Sequence, residues 1–178
     1  MSKQFISQKS LPEFSLWKKM KDRRNVLSFD LEITARCNNN CRHCYINLPK
    51  GDIKARQKEL SFEEIKKVVD EAVDLGAMWC LITGGEPLLY ADFLKEILEL
   101  TSQHGHKHYL ETHGTLFFEL EEIIDYIDIV AMDFKLPSSS GMGNLWNLHK
   151  KFLKVAVKKE VFLKAIICQA TYEEDLKE

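Results

Sequence analysis

No stretch of this 178-residue chain approaches the ~20 consecutive apolar residues that a membrane span requires. Met1 to Ser10 is polar and mixed, without the apolar centre of a secretory signal. A strong charge of either sign is also missing. The formal net charge is -2, so no general basic field exists to gather nucleic acid. Internal repeats and low-complexity linkers are lacking too. These absences leave an ordinary globular protein, with 45% hydrophobic and 29% charged residues, and we expect it in the cytoplasm. Cysteine is sparse but not scattered. Of five in all, Cys37, Cys41 and Cys44 fall within eight residues. In a chain of the reducing cytosol, that grouping points to metal before disulfide.

Periodicity divides the chain in two. Lys3 to Arg24 carries Phe14, Trp17 and Met20 at helical spacing and reads as an amphipathic N-terminal extension, residues 1–25. Residues 26–178 read as one core domain in which short β-rich runs alternate with helical patterns. Val26 to Thr34 is the first expected strand. After a polar loop, Ser61 and Glu64 form a capping box ahead of a helix striped by Phe62, Ile65, Val69 and Ala72. Met78 to Thr83, Lys107 to Thr112, Ile129 to Phe134 and Val161 to Cys168 are the next strands, each preceded by a helical pattern. Glu173 to Glu178 reads as the start of one more helix. This order predicts an α/β fold of parallel strands joined by helices. Polar or glycine-rich motifs follow each of the first four strands. In such folds the carboxyl ends of the strands build the active site, so these motifs should meet at one mouth.

The segment Cys37-Asn-Asn-Asn-Cys41-Arg-His-Cys44 places three soft thiolate ligands in one short loop, suited to an iron–sulfur cluster or to zinc. Three protein ligands leave one metal position open, as catalytic sites do; a structural zinc site would need a fourth ligand from elsewhere. Cys80 and Cys168 lie in apolar strand runs and read as core thiols. Gly84-Gly85-Glu86-Pro87 closes the second strand. Glycines there let backbone groups approach a ligand closely. Glu111-Thr112-His113-Gly114-Thr115 closes the third strand, and Asp133-Phe134-Lys135 the fourth. Asp133 and Lys135 are two residues apart and so share one face of an extended strand. His104, His106 and His108 alternate, which suits either a turn entering a strand or, less simply, metal ligation. Trp79 and Trp146 read as core.

Cys-x3-Cys-x2-Cys, set after a strand in LEITARCNNNCRHCY, resembles the signature of the radical S-adenosylmethionine (SAM) superfamily. The resemblance implies a partial (β/α) barrel of the radical SAM type, with about five to six β-α units. It implies that Cys37, Cys41 and Cys44 hold a [4Fe–4S] cluster whose fourth iron is chelated by SAM. Gly84, Gly85 and Glu86 match the family's GGEP motif, which holds the methionyl end of SAM. Tyr45 stands where family members contact adenine. Thr112 and His113 match a segment near SAM, with His113 in the place of the usual asparagine. Asp133 and Lys135 match a motif facing SAM or substrate. The activity implied is reductive cleavage of SAM to a 5′-deoxyadenosyl radical, followed by hydrogen abstraction from a small-molecule or protein substrate. The electron would come from a flavodoxin or ferredoxin.

Within that superfamily, the chain up to Leu89 resembles SPASM-type peptide-modifying members, although their additional cysteines are lacking. Tyr109 to Leu176 resembles 7-carboxy-7-deazaguanine synthases and glycyl-radical activating enzymes. Five strands against the family's six leave three expectations: a compact member, a fragment, or a barrel completed by association into a homo-oligomer. Two other functions stay open. One is a peptide maturase, for which Lys3 to Arg24 is short as a leader-binding domain. The other is a non-catalytic iron–sulfur or zinc module, which would have no use for GGEP.

Overall fold

The structure, a computed structural model, describes residues 26–177. The amphipathic segment expected from Lys3 to Arg24 lies outside the described residues. Five parallel strands form one sheet in the order β1 (Ser28–Thr34), β4 (Trp79–Gly84), β5 (Lys107–Thr112), β6 (Ile129–Phe134) and β7 (Glu160–Ala165). Each strand is thus added beside its predecessor, as in a partial (β/α) barrel. A separate two-stranded parallel ladder, β2 (Arg36–Cys37) with β3 (Leu48–Pro49), frames the cysteine loop. Short α1 (Ile53–Arg56) follows it. The crossovers are made by α2 (Phe62–Asp74), α3 (Ala91–Gln103), α4 (Phe117–Ile123) and α6 (Trp146–Ala156), with α5 (Pro137–Ser140) after β6. No helix among the described residues is long and apolar enough to cross a membrane.

Strand alternation sorts the sheet into two unlike faces. Leu31, Ile33, Cys80, Ile82, Leu110, Val130 and Met132 are buried against Ile65 and Val69 of α2, Leu94 and Leu98 of α3, Leu120 of α4 and Phe152 of α6. Each fully buried aliphatic side chain contributes roughly 1.5–3 kcal/mol. The alternate positions lie on the open face, where Glu32, Thr83, Glu111, Asp133 and Lys164 stand toward the carboxyl ends of the strands and apolar Leu81, Tyr109, Ala131 and Phe162 lie among or below them.

The capping box forms as expected: Ser61 Oγ accepts from Glu64 N, and Glu64 Oε2 accepts from Ser61 N at 2.9 Å. Three local expectations are corrected. Cys168 lies beyond β7 and is exposed, because the strand ends at Ala165 and nothing among the described residues covers the segment after it. Trp79 and Trp146 are half-buried, not enclosed in the core. The final expected helix is a 3-10 turn, Glu173–Leu176. β7 is an outer strand of the sheet, with Phe162 and Leu163 about half exposed.

Candidate active site

The cysteine loop leaves β1 through the ladder that Cys37 makes with Pro49 and docks on α5, where Arg42 N donates to Ser140 O (2.7 Å). All three cysteines are free, and Cys41 is buried. Asn39 N donates to Cys37 Sγ at 3.3 Å and Asn47 N to Cys44 Sγ at 3.2 Å. Such contacts suit sulfurs that carry negative charge. Without a metal that charge is disfavoured. Burial pushes the Cys37 thiol up to about 11, and burial also raises Cys41. A bound cation reverses this by drawing off the protons. Among the described residues no three His, Cys, Asp or Glu converge at the distance of a single ion. Three thiolates in one loop supply one soft ligand to each of three irons, so the chemistry of the donor set fits an iron–sulfur cluster.

The end of β4 is pressed against the strand that feeds this loop. Gly85 N donates to Thr34 O (2.6 Å) and Glu86 N to Arg36 O (3.1 Å). A Cβ on Gly84 would stand 2.3 Å from Thr34 O, and one on Gly85 would stand 2.3 Å from Arg36 O. Gly84 also has φ +122°, a conformation that L side chains rarely adopt. Arg36 is itself buried. It forms a fork with Glu59 (Nε 2.7 Å, Nη2 2.8 Å), donates to Lys50 O (2.7 Å) and lies over the Tyr90 ring. Thr34 donates to the same Glu59 carboxylate.

Glu86 is fully buried and turned away from the open face. Its carboxylate accepts from Thr112 Oγ1 (2.9 and 3.0 Å), His113 N (2.9 Å) and Leu88 N (3.1 Å). Unlike Gly84 and Gly85, it does not line the cavity described below. The backbone of the two glycines is therefore what this turn offers a ligand. His113 connects three motifs: Nε2 is 2.8 Å from Asn38 Oδ1 and 3.2 Å from Glu86 Oε2, and Nδ1 is 3.0 Å from Thr115 Oγ1. Burial lowers its pKa against the opposing charge of Glu86. A neutral ring donating from Nε2 and accepting at Nδ1 satisfies every partner.

A cavity of about 240 Å³ opens at the carboxyl ends of the strands. Cys44, Tyr45, Gly84, Gly85, Thr112, His113, Asp133 and Lys135 all line it, together with Thr83, Glu111 and Lys164. Asp133 and Lys135 share a face as expected and form an ion pair at 2.6 Å. Asp133 Oδ1 is buried without a partner. Tyr45 is 91% exposed, so it stands at the mouth rather than packing on the barrel end. The histidine alternation belongs elsewhere. His106 Nδ1 bonds Thr101 O (3.2 Å), and His108 bonds Thr101 Oγ1 (2.6 Å) and Tyr126 O (2.8 Å), tying α3 to β5. Sequence reasoning missed Asn38, Arg36, Glu59 and Lys164, whose partners lie tens of residues away.

Residues 31–167 match the family model of the radical SAM superfamily. The chain belongs to that superfamily, whose members are enzymes that use a [4Fe–4S] cluster and SAM. Among its relatives, a 7-carboxy-7-deazaguanine synthase of Geobacter sulfurreducens is 41% identical over 51% of this chain and 36% of its own length. Another of that name, from Methanocaldococcus jannaschii, is 30% identical over 80% of this chain and 65% of its own. A GTP 3′,8-cyclase of Desulforamulus reducens is 32% identical over 65% and 35%. The chain thus spans about one to two thirds of the length of these relatives. The solved FeFe-hydrogenase maturase HydG of Carboxydothermus hydrogenoformans shares the fold at 18% identity, with a TM-score of 0.60 over 83% of this chain and 38% of its own.

Proposed function

We propose that residues 26–178 form a radical SAM catalytic unit that makes or consumes a small heterocycle of the guanine type. The observation that carries this reading is the single cavity shared by Cys44, the Gly84–Gly85 turn, Thr112, His113 and the Asp133–Lys135 pair. The relatives' names supply the ligand class: 7-carboxy-7-deazaguanine, which a synthase of that name makes, and GTP, which a GTP cyclase consumes, both contain a guanine-type ring.

Cys37, Cys41 and Cys44 would hold the cluster, with Asn39 and Asn47 N–H groups donating to two of the sulfurs. The backbone of Gly84 and Gly85 would accept the methionyl ammonium group, with Glu86 positioning Thr112 and His113 behind it. Lys135 suits a carboxylate, and Tyr45 the adenine face. The chemistry supplied by the bound cofactors is one-electron cleavage of SAM to a 5′-deoxyadenosyl radical. The chain's own part is to bind, orient and exclude water. A flavodoxin or ferredoxin would deliver the electron. A reducing compartment such as the cytoplasm suits the free thiols.

The test is anaerobic reconstitution with iron and sulfide, followed by electron paramagnetic resonance of the reduced protein with and without SAM. A [4Fe–4S]⁺ signal altered by SAM, with 5′-deoxyadenosine released, supports the reading. A cluster indifferent to SAM would assign the chain to a redox module. Stoichiometric zinc without a cluster overturns the proposal.

A further inference from the structure

Parallel sheets in α/β proteins are ordinarily covered by apolar side chains on both faces. The open face of this sheet departs from that rule where β5, β6 and β7 meet. Glu111 of β5 pairs in register with Ala131 of β6, and Ala131 with Phe162 of β7. Lys164, two residues beyond Phe162, lies on the same face. In register with Asp133 of β6, it reaches past that strand, and its Nζ donates to Glu111 Oε1 at 2.7 Å. From β4, Thr83 Oγ1 donates to Glu111 Oε2 at 3.0 Å. The bridge therefore spans four adjacent strands across the floor of the cavity that the SAM-type motifs line.

Lys164 and Glu111 keep 44% and 35% side-chain exposure, so the pair adds little to folding stability and opens at low cost. A carboxylate fixed by a neighbouring hydroxyl accepts two parallel N–H donors, and an ammonium group receives a carboxylate. We propose that Lys164 and Glu111 are the substrate-recognition pair of this site, exchanging their mutual contact for a ligand that carries both a carboxylate and an N–H edge. Lys164 takes the carboxylate, Glu111 takes the ring N–H and exocyclic amine, and Thr83 holds Glu111 in place. This assignment rests on the guanine-type reading of the substrate and gives it two specificity determinants. The methionyl carboxylate of SAM is the other possible partner of Lys164, and the experiment separates the two sources.

Equilibrium binding is measured on the anaerobic, cluster-loaded protein with three probes: 7-carboxy-7-deazaguanine, 7-deazaguanine without the carboxylate, and SAM. Melting temperatures of the variants verify folding. Lys164→Met is expected to weaken the carboxylated probe by roughly tenfold to a hundredfold without weakening the other two probes. Glu111→Gln is expected to weaken both deazaguanines and spare SAM. A Lys164→Met protein that loses SAM and keeps the carboxylated probe overturns the assignment in favour of the methionyl carboxylate. Wild-type protein that binds both deazaguanines, with neither substitution mattering, overturns the assignment and leaves the substrate class standing. Wild-type protein that binds SAM but neither deazaguanine overturns the guanine-type ligand class and the assignment together.

Discussion

Glu86 and Thr112 are joined through both carboxylate oxygens, at 2.9 and 3.0 Å from one hydroxyl, in a place where Glu86 has no solvent exposure. The turn after β4 is thereby locked to the turn after β5. Removing the carboxylate strands Thr112 Oγ1 and the amides of His113 and Leu88. Glu86→Ala is expected to destabilise the fold by about 2–4 kcal/mol, and Glu86→Gln by less, since an acceptor oxygen remains. Urea unfolding midpoints read both.

Gly85 faces backbone, not a side chain that can turn aside. Gly85→Ala places a methyl 2.3 Å from Arg36 O and prises β4 from the root of the cysteine loop. A loss of at least ~2 kcal/mol is expected. Iron uptake should fall even at temperatures where the variant stays folded. Thermal melts and iron content measured side by side check this.

The Arg36–Glu59 fork has side-chain exposures of only 6% and 20%. Removing one partner leaves an uncompensated charge, and Arg36→Met is expected to cost about 3–5 kcal/mol. The double variant Arg36→Met/Glu59→Leu should recover much of that loss, and a double-mutant cycle by denaturant titration measures the coupling.

Acid should weaken the protein through His149. This residue of α6 is buried, with neither ring nitrogen partnered. Burial lowers its pKa to about 4 from the ordinary 6.5. The unfolded chain therefore takes up a proton below pH 6.5 while the folded chain does not. Stability is complete above pH 6.5 and declines by about 3 kcal/mol as pH falls to 4. Burial lowers His106 and His108 as well, which adds in the same direction. His149→Phe should flatten this acid limb in stability measured against pH.

Substituting serine for Cys37, Cys41 or Cys44 should abolish the iron and sulfide that reconstitution introduces. Cys80→Ala and Cys168→Ser should retain them. Cys80 is sealed in the core, where burial raises its thiol to about 12, and Cys168 stands alone on the surface. Iron and acid-labile sulfide assays decide between these outcomes.

The β-α order was legible because each strand carries its own apolar run and each helix its own stripe. Ser61 and Glu64 were readable for the same reason: a capping box is a contact across three residues. The motifs after the strands were legible in position, since parallel topology sends every strand end to one side. Side-chain direction was not. Nothing local to Glu86 tells that its carboxylate turns inward to Thr112, 26 residues on. Glu59 sits among charged residues with no local signal of burial, yet Arg36, 23 residues earlier, draws it into a buried fork. Lys164 acquires meaning only when β7 is laid two strands from Glu111. Cys168 was misplaced because an apolar run does not announce where pairing stops.

The two-faced sheet has a consequence for how such a chain changes over generations. The helix-facing residues carry the cohesion of the fold, whereas the half-exposed pair Glu111 and Lys164 contributes little to it. Exchanges at the open positions are therefore nearly neutral for folding and consequential for recognition. A lineage built on this sheet can drift from one ligand to the next through single replacements, without first passing through an unstable ancestor.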